Sequence, residues 1–215
     1  MTKKLGEKMR SCPHWSADGV HYGSCWKEND ERYCGKECAC DCHKSGWKMN
    51  PQKYKLLLTG GSGMLATELQ ETSVQHGIEY VPINRDDVDI THVGDMWWHC
   101  RRFVKDLGIH GVVHAAAYTN VPKSEIERER VIDVNINGTK NVVRGFCWPL
   151  DIPMIYISTD YVYEGATGNY KETDQIRPIN FYGITKALGE EYVNLERDLV
   201  IRTSFKPNGK WAYPK

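Results

Sequence analysis

A glycine-rich turn between a strand and a helix constrains the fold of this chain more than any other sequence feature. The apolar run Lys55–Thr59 predicts a short buried strand, and a helix is predicted from Met64 onward. Between them lies the turn of TGGSGMLA (59–66), whose glycines permit a tight bend and a close approach of the backbone. A strand, a turn and a helix in this order are typical of the first unit of a parallel α/β sheet.

The same alternation continues to the end of the chain. Further strands are predicted at residues 79–85, 111–117, 154–163 and 199–204, and helical stretches at 96–107, 125–146 and 181–196. Short apolar strands that alternate with helices pair in parallel and carry helices on both faces. The predicted fold class is therefore α/β, a Rossmann-type doubly wound parallel sheet over residues 53–215.

The chemistry of a glycine-rich turn at the start of a helix favours a phosphate ligand. Free backbone N–H groups and the helix dipole stabilise a pyrophosphate there, although such a turn can also be a purely structural connection. Beyond the second strand stands Arg85, followed by Asp86 and Asp87. An arginine here accommodates the 2′-phosphate of NADP, which weakly favours NADP over NAD; Arg85 as an ordinary solvated surface charge is the other interpretation.

A tyrosine and a lysine one helical turn apart form the second chemical motif, Tyr182-Gly-Ile-Thr-Lys186. Residues i and i+4 share one face of a helix, and an ammonium near a phenol lowers the pKa of the phenol, which makes it a usable acid or base. Such pairs also arise by chance on exposed helices. In combination with the glycine-rich turn, the pair predicts a nicotinamide-dependent oxidoreductase.

Several motifs in a fixed order resemble the extended short-chain dehydrogenases, and within them the dTDP-4-dehydrorhamnose reductase-like group. The motifs span about residues 54–205 and are TGGSGMLA (59–66), DVDIT (87–91), HAAAYTNV (114–121), VNINGT (134–139), ISTDYVYEG (157–165), PINFYGITKALGE (178–190) and IRTS (201–204). The resemblance implies NADPH or NADH as cofactor and a nucleotide-linked 4-keto-6-deoxysugar as substrate, reduced by hydride transfer to C4.

The resemblance also implies roles for individual residues. Tyr182 matches the proton donor, Thr159 matches the hydroxyl that holds the substrate carbonyl, and Lys186 matches the residue that binds the nicotinamide ribose and tunes the tyrosine. Asp160 and Phe205 match substrate-side positions, with Phe205 where the family often has tryptophan. Eight further positions match cofactor contacts: Gly63, Met64, Leu65, Asp89, Ile90, Ala117, Tyr118 and Thr119. Gly60 and Ser62 of the glycine-rich turn, Arg85 after the second strand, and the pair Tyr182 and Lys186 complete the set of candidate cofactor-binding residues.

The family continues well past the fifth strand, whereas this sequence ends at Lys215. We therefore expect much of the substrate-binding part to be absent, and an open sheet edge and face to favour a second copy or a partner chain that completes the fold. An alternative function follows, a non-catalytic NAD(P)-binding regulatory subunit of the same family. Retention of Thr159, Tyr182 and Lys186 favours the enzyme.

Residues 1–52 form a Cys/His-rich segment without helical or strand periodicity. Cys34, Cys38, Cys40 and Cys42 could bind zinc and stabilise a segment too small to fold alone, but their spacing matches no paired C-x2-C knuckle. A metal site and a disordered leader or extension are both open, and a zinc-dependent interaction module is a third functional hypothesis. Trp15, Trp26 and Trp47 could stack on nucleic acid, but packing of a small metal-centred core is the preferred interpretation.

Composition excludes several classes of protein. Lysine plus arginine and aspartate plus glutamate both number 28, so a surface that wraps a polyanion is not expected, and nucleic acid is an unlikely partner. The sequence has no run of 18 apolar residues, so no membrane span is predicted. No apolar region follows the basic N-terminus, so no signal peptide is predicted. A cytoplasmic protein with reduced thiols is the expectation.

Overall fold

The computed structural model describes residues 54–92, 94 and 107–204. The chain divides into two units, Met1–Pro51 and Gln52–Lys215, and every described residue belongs to the second. Three sets of predicted features lie outside the described residues: the Cys/His-rich segment with Cys34, Cys38, Cys40 and Cys42, most of the helical stretch 96–107, and Phe205.

Five strands in the described part of the chain form one parallel sheet with the order β2-β1-β3-β4-β5. Their bounds are Tyr54–Thr59 (β1), Ile78–Ile83 (β2), Gly111–His114 (β3), Met154–Thr159 (β4) and Leu199–Thr203 (β5). The predicted fold class is confirmed. The strands β2, β3 and β4 end two to four residues earlier than predicted, because the residues after each strand turn away from the sheet.

The helices connect these strands. Helix α1 spans Met64–Thr72 and α2 is the short turn Val121–Ser124. Helix α3 is a continuous run over 128–150, in which the π-helical segments Asp133–Gly138 and Val143–Cys147 interrupt the α-helical geometry. Helix α4 spans Phe181–Glu190, and the prediction that it extends to residue 196 is wrong because the chain breaks into turns after Glu190.

The two faces of the sheet carry separate cores. Alternate residues of β1 point to opposite faces, so Leu57 joins the larger cluster with Phe146 of α3 and Tyr156 of β4, whereas Leu58 joins the smaller cluster with Ala66 of α1. Cys147 is fully buried in the larger cluster, where it packs as a small apolar side chain. Because all the strand pairs are parallel, the carboxyl ends of the five strands lie at one edge of the sheet.

The outer strand β5 is the least covered part of this sheet. Among the described residues it pairs with β4 alone, and Leu199 and Ile201 are 53% and 39% exposed. The partner chain or second copy expected from the sequence stays a prediction. No helix in the described ranges is long and apolar enough to cross a bilayer.

Candidate active site

One cavity of about 1200 Å³ opens along the carboxyl ends of the strands. The chain leaves β1 toward β2 on one side and later returns to β3 on the other, so the strand order reverses between β1 and β3. Ligands of open parallel sheets bind in the crevice at such a reversal. Residues that follow each of the five strands line the cavity, among them Gly60, Asn84, Ala116, Asp160 and Ser204.

The glycine-rich turn forms one end of the cavity. Gly60 has φ +69°, and a Cβ there would lie 2.9 Å from Cα of Ala116, so this position requires glycine. Helix α1 begins after Gly63, and no described side chain caps it. The backbone N–H of Thr67 donates to the carbonyl oxygen of Gly63 and is the first N–H of α1 with a partner in the helix. The N–H groups of residues 64–66 therefore have no intrahelical partners, and these residues line the cavity.

The end of β2 supplies charged side chains to the same region. Arg85 is 71% exposed and pairs with Asp89, with 3.1 Å between Nε and Oδ2. Burial alone would raise the pKa of Asp89, but hydrogen bonds from Thr91 and Arg85 lower this pKa to about 2. Asn84 accepts a hydrogen bond from the backbone N–H of Ser62, 2.8 Å, and thereby fixes the turn against β2.

The opposite end of the cavity contains the predicted catalytic residues. Thr159 is the last residue of β4, and Tyr182 lies in the first turn of α4, whose N-terminus is capped by Asn180 through a 2.7 Å bond to Gly183 N. Burial raises the pKa of Tyr182 to about 12, and a hydrogen bond with Thr159 opposes the increase. Tyr182 therefore holds its proton at neutral pH and can act as an acid.

Lys186 is buried and does not act on Tyr182 in the way the sequence predicted. Its exposed fraction is 2%, and Nζ lies 4.1 Å from the ring centroid of Tyr156, over the face of that ring. Burial lowers the pKa of Lys186 to about 7, while the nearby carboxylate of Glu190 raises it. The expected lowering of the Tyr182 pKa by this lysine is wrong for this state, because burial of the phenol dominates and the ammonium faces another ring.

The cavity brings together every predicted cofactor, catalytic and substrate residue that the structure describes, although their roles stay predictions. Its lining includes Gly60, Ser62, Gly63, Met64, Leu65, Arg85, Asp89, Ile90, Ala117, Tyr118, Thr119, Thr159, Asp160, Tyr182 and Lys186. The structure adds Tyr161, which is 46% exposed and packs edge-on against Tyr182 with 6.1 Å between ring centroids.

Sequence reasoning missed a buried polar network under the cavity. His114 is fully buried and lies 2.7 Å from Oγ1 of Thr59 and 3.1 Å from Oγ1 of Thr139. Burial lowers the pKa of His114 to about 3, so the ring is neutral. Asn135 accepts a bond from the N–H of Tyr118, 2.8 Å, and donates to Thr185 of α4, 3.0 Å. The sequence signal that could have revealed this network is the presence of polar residues, His114 in β3 and Asn135 in α3, at positions where the pattern of these elements predicts buried apolar side chains.

A family model described as the RmlD substrate binding domain matches residues 54–206. The chain belongs to this RmlD family. A dTDP-4-dehydrorhamnose reductase of Mycolicibacterium smegmatis is 31% identical over 77% of the chain and 48% of that protein. The spore coat polysaccharide biosynthesis protein SpsK of Bacillus subtilis is 30% identical over 74% of the chain and 53% of that protein.

Solved structures of the RmlD family confirm the fold. A dTDP-4-dehydrorhamnose reductase of Bacillus anthracis in complex with NADP superposes with a TM-score of 0.62 at 31% identity, over 70% of this chain and 53% of that one. The dTDP-4-dehydrorhamnose reductase of Clostridium acetobutylicum gives the same TM-score at 30% identity, over 70% and 53%. This chain spans about half the length of the relatives that it matches.

Proposed function

We propose that this RmlD-family chain binds NADP(H) and reduces a nucleotide-linked 4-keto-6-deoxysugar, with hydride transfer to C4 and Tyr182 as the proton donor. The observation that carries the proposal is that Thr159 and Tyr182 line the same cavity as the glycine-rich turn. The relatives named dTDP-4-dehydrorhamnose reductase, one of them solved with NADP, support the choice of substrate and cofactor.

The described residues fit a dinucleotide cofactor. The N–H groups of 64–66 open onto the cavity without a side-chain cap, and the positive end of the α1 dipole favours a pyrophosphate there. The exposed guanidinium of Arg85 stands at the position from which an arginine binds a 2′-phosphate, and we therefore propose NADPH over NADH. A bound nicotinamide supplies the hydride; the protein supplies orientation and a proton.

Two hydroxyls provide the acid chemistry in this proposal. Thr159 and Tyr182 line the same cavity, so one carbonyl oxygen that enters the space beside them can accept hydrogen bonds from both hydroxyls. Because the pKa of Tyr182 is raised to about 12, the phenol is protonated when a substrate arrives and can donate its proton as negative charge develops on the oxygen. Without substrate the Thr159 hydroxyl donates to Asp160, 3.1 Å, and in this proposal it rotates to donate to the carbonyl oxygen instead.

The test combines cofactor titration with turnover. NADPH and NADH are titrated into the full chain, and oxidation of NADPH is then followed with dTDP-4-keto-6-deoxy-L-mannose. We expect NADPH to bind more tightly than NADH and the sugar nucleotide to be reduced. In Tyr182→Phe, cofactor affinity should be unchanged, while turnover falls at least about 100-fold because general acid catalysis is lost.

The outcomes separate the two functional hypotheses. Cofactor binding without turnover in the parent chain contradicts the reductase and supports the alternative of a non-catalytic NAD(P)-binding subunit. Absence of NADPH and NADH binding contradicts both. A Tyr161→Phe variant, which keeps the ring packed against Tyr182, serves as the matched control for loss of one hydroxyl in the same cavity.

A further inference from the structure

Helix α4 carries three functional groups at intervals of four residues, Tyr182, Lys186 and Glu190, which therefore share one face of the helix. Tyr182 and Lys186 line the cavity. Glu190 lies one turn further along, is only 9% exposed, and contacts the sheet beneath the helix. A carboxylate is rarely buried to this extent unless it is paired, so its partners indicate what it does.

Glu190 ties α4 to the ends of two strands. Its Oε1 accepts a hydrogen bond from the hydroxyl of Ser158, the residue that precedes Thr159 in β4. Arg202 of β5 contacts both carboxylate oxygens, with 3.1 Å from Nε to Oε1 and 2.7 Å from Nη2 to Oε2. Such a bidentate pair fixes orientation as well as distance. One side chain thus connects the helix of Tyr182 and Lys186 to the strand end of Thr159.

The second partner, Arg202, is itself held in place. Its Nη1 donates to the hydroxyl of Tyr163, 2.8 Å, and to the backbone carbonyl of Glu172, 3.0 Å. The carboxylate of Glu190 raises the pKa of the Arg202 guanidinium, which therefore stays charged. Arg202 thus joins Glu190 to both β5 and the segment after β4.

Glu190 lies one helical turn from Lys186 and supplies a negative charge on the same face of α4. The titratable and charged groups near the lysine are Tyr156 on β4, the neutral His114 on β3 and Glu190 on α4, and Arg202 of β5 pairs with Glu190. Burial opposes the ammonium, and Glu190 is the carboxylate that counteracts burial. Lys186 is 2% exposed, and among the described residues the face of the Tyr156 ring is the other group that stabilises its charge.

We propose that Glu190 is a positioning residue of this site, which places a negative charge one helical turn from Lys186 and holds α4 against the strand end that contains Thr159. The proposal deepens the proposed function and rests on it for the cofactor role of Lys186. It distinguishes Glu190 from a carboxylate that only stabilises the fold. A purely structural ion pair would change the unfolding free energy without changing the protonation of a neighbouring lysine.

The direct test is an NMR titration of Lys186 in the full chain. The 13Cε resonance of Lys186, assigned by its loss in Lys186→Met, is followed against pH. We expect the midpoint to fall by about one pH unit or more in Glu190→Gln, because removal of the opposite charge disfavours the ammonium. Glu190→Asp keeps the charge and should restore most of the shift. Glu191→Gln, on the exposed side of the same helix, should leave the midpoint unchanged.

A variant with the opposite expected sign completes the test. Arg202→Gln removes the positive competitor for the Glu190 carboxylate, so the midpoint of Lys186 should rise. This variant decides the question if Glu190→Gln fails to fold. If the Lys186 midpoint does not move in whichever of these two variants folds, the proposal is wrong, even if the melting temperature of that variant falls.

The cofactor readout separates this proposal from the proposed function. NADPH dissociation constants are measured between pH 6 and 9 for the same variants. The pH above which binding weakens should fall in Glu190→Gln in parallel with the NMR midpoint, and unchanged binding curves beside a moved midpoint overturn the positioning role. If the parent chain binds no NADPH, the proposed function fails, and the NMR titration still decides whether Glu190 controls Lys186.

Discussion

The two ends of the cavity are built in different ways. At the β1–β2 end, the ligand-facing groups are backbone N–H groups of 64–66 and the exposed side chain of Arg85. At the β4–α4 end, Lys186 is buried and linked through Glu190 to two strands, and His114 is fully buried below. At the first end, the ligand-facing groups come from short sequence segments and Arg85 is exposed to solvent. At the second end, the contacts join segments that are distant in sequence, and burial of charge there costs folding free energy.

The largest expected effect is a gain in stability when the buried charge of Lys186 is removed. Burial lowers the pKa of Lys186 from 10.5 to about 7, so between these values the unfolded chain binds more protons than the folded one, and stability rises with pH. Lys186→Met should therefore increase the unfolding free energy by about 3 kcal/mol at pH 6.5, with the gain shrinking toward pH 10. Urea unfolding at several pH values measures it.

Loss of NADPH binding should accompany this gain in stability. Lys123→Met, at an exposed position of α2, is the matched control and should show no such pH-dependent difference. If Lys186→Met is less stable than the parent chain at pH 6.5, the buried ammonium does not destabilise the fold, and the contrast between the two ends is wrong.

The next effect concerns the close packing of α4 at the buried end. A Cβ at Gly183 would lie 2.2 Å from the carbonyl oxygen of Tyr161, so Gly183→Ala must displace the helix. We expect a loss of about 2 kcal/mol in the unfolding free energy together with weaker turnover. Gly165→Ala, where φ is +76° and no atom lies within 4 Å, should lose about 1 kcal/mol and leave turnover unchanged. Denaturant unfolding and initial rates separate the two.

A smaller effect is expected at the exposed end. Arg85→Ala should weaken NADPH binding about tenfold and leave NADH binding unchanged, because only the 2′-phosphate contact is lost. The unfolding free energy should stay within about 0.5 kcal/mol, as is usual for an exposed side chain. An equal loss of affinity for NADPH and NADH would mean that Arg85 does not bind the 2′-phosphate.

The smallest effect is a change in acid stability. Because the folded-state pKa of Asp89 is about 2, below its ordinary 3.8, this carboxylate stabilises the protein above about pH 4, and the contribution is lost as the pH falls toward 2. Asp89→Asn should reduce the unfolding free energy by about 1 kcal/mol at pH 5 and by less at pH 2.5. Asp86→Asn, at an exposed position in the same loop, should show no such difference.

These contrasts explain which parts of the site were predictable. The glycine-rich turn and the Tyr182–Lys186 spacing are local patterns, since each reflects one bend or one helical turn. Glu190, His114 and Asn135 were not recognised, because their partners lie at least 12 residues away in sequence. The position of Lys186 over Tyr156, rather than beside Tyr182, is likewise a tertiary contact between α4 and β4.

Sequence alone determined the alternation of strands and helices, the parallel sheet and the set of residues at its carboxyl edge, because periodicity and glycine positions are properties of neighbouring residues. Tertiary structure decided the strand order, the raised pKa of Tyr182, the lowered pKa of Lys186 and the partners of Glu190. The physical reason is that burial and charge pairing depend on which segments meet in space, and segments far apart in the chain meet only when the sheet is formed.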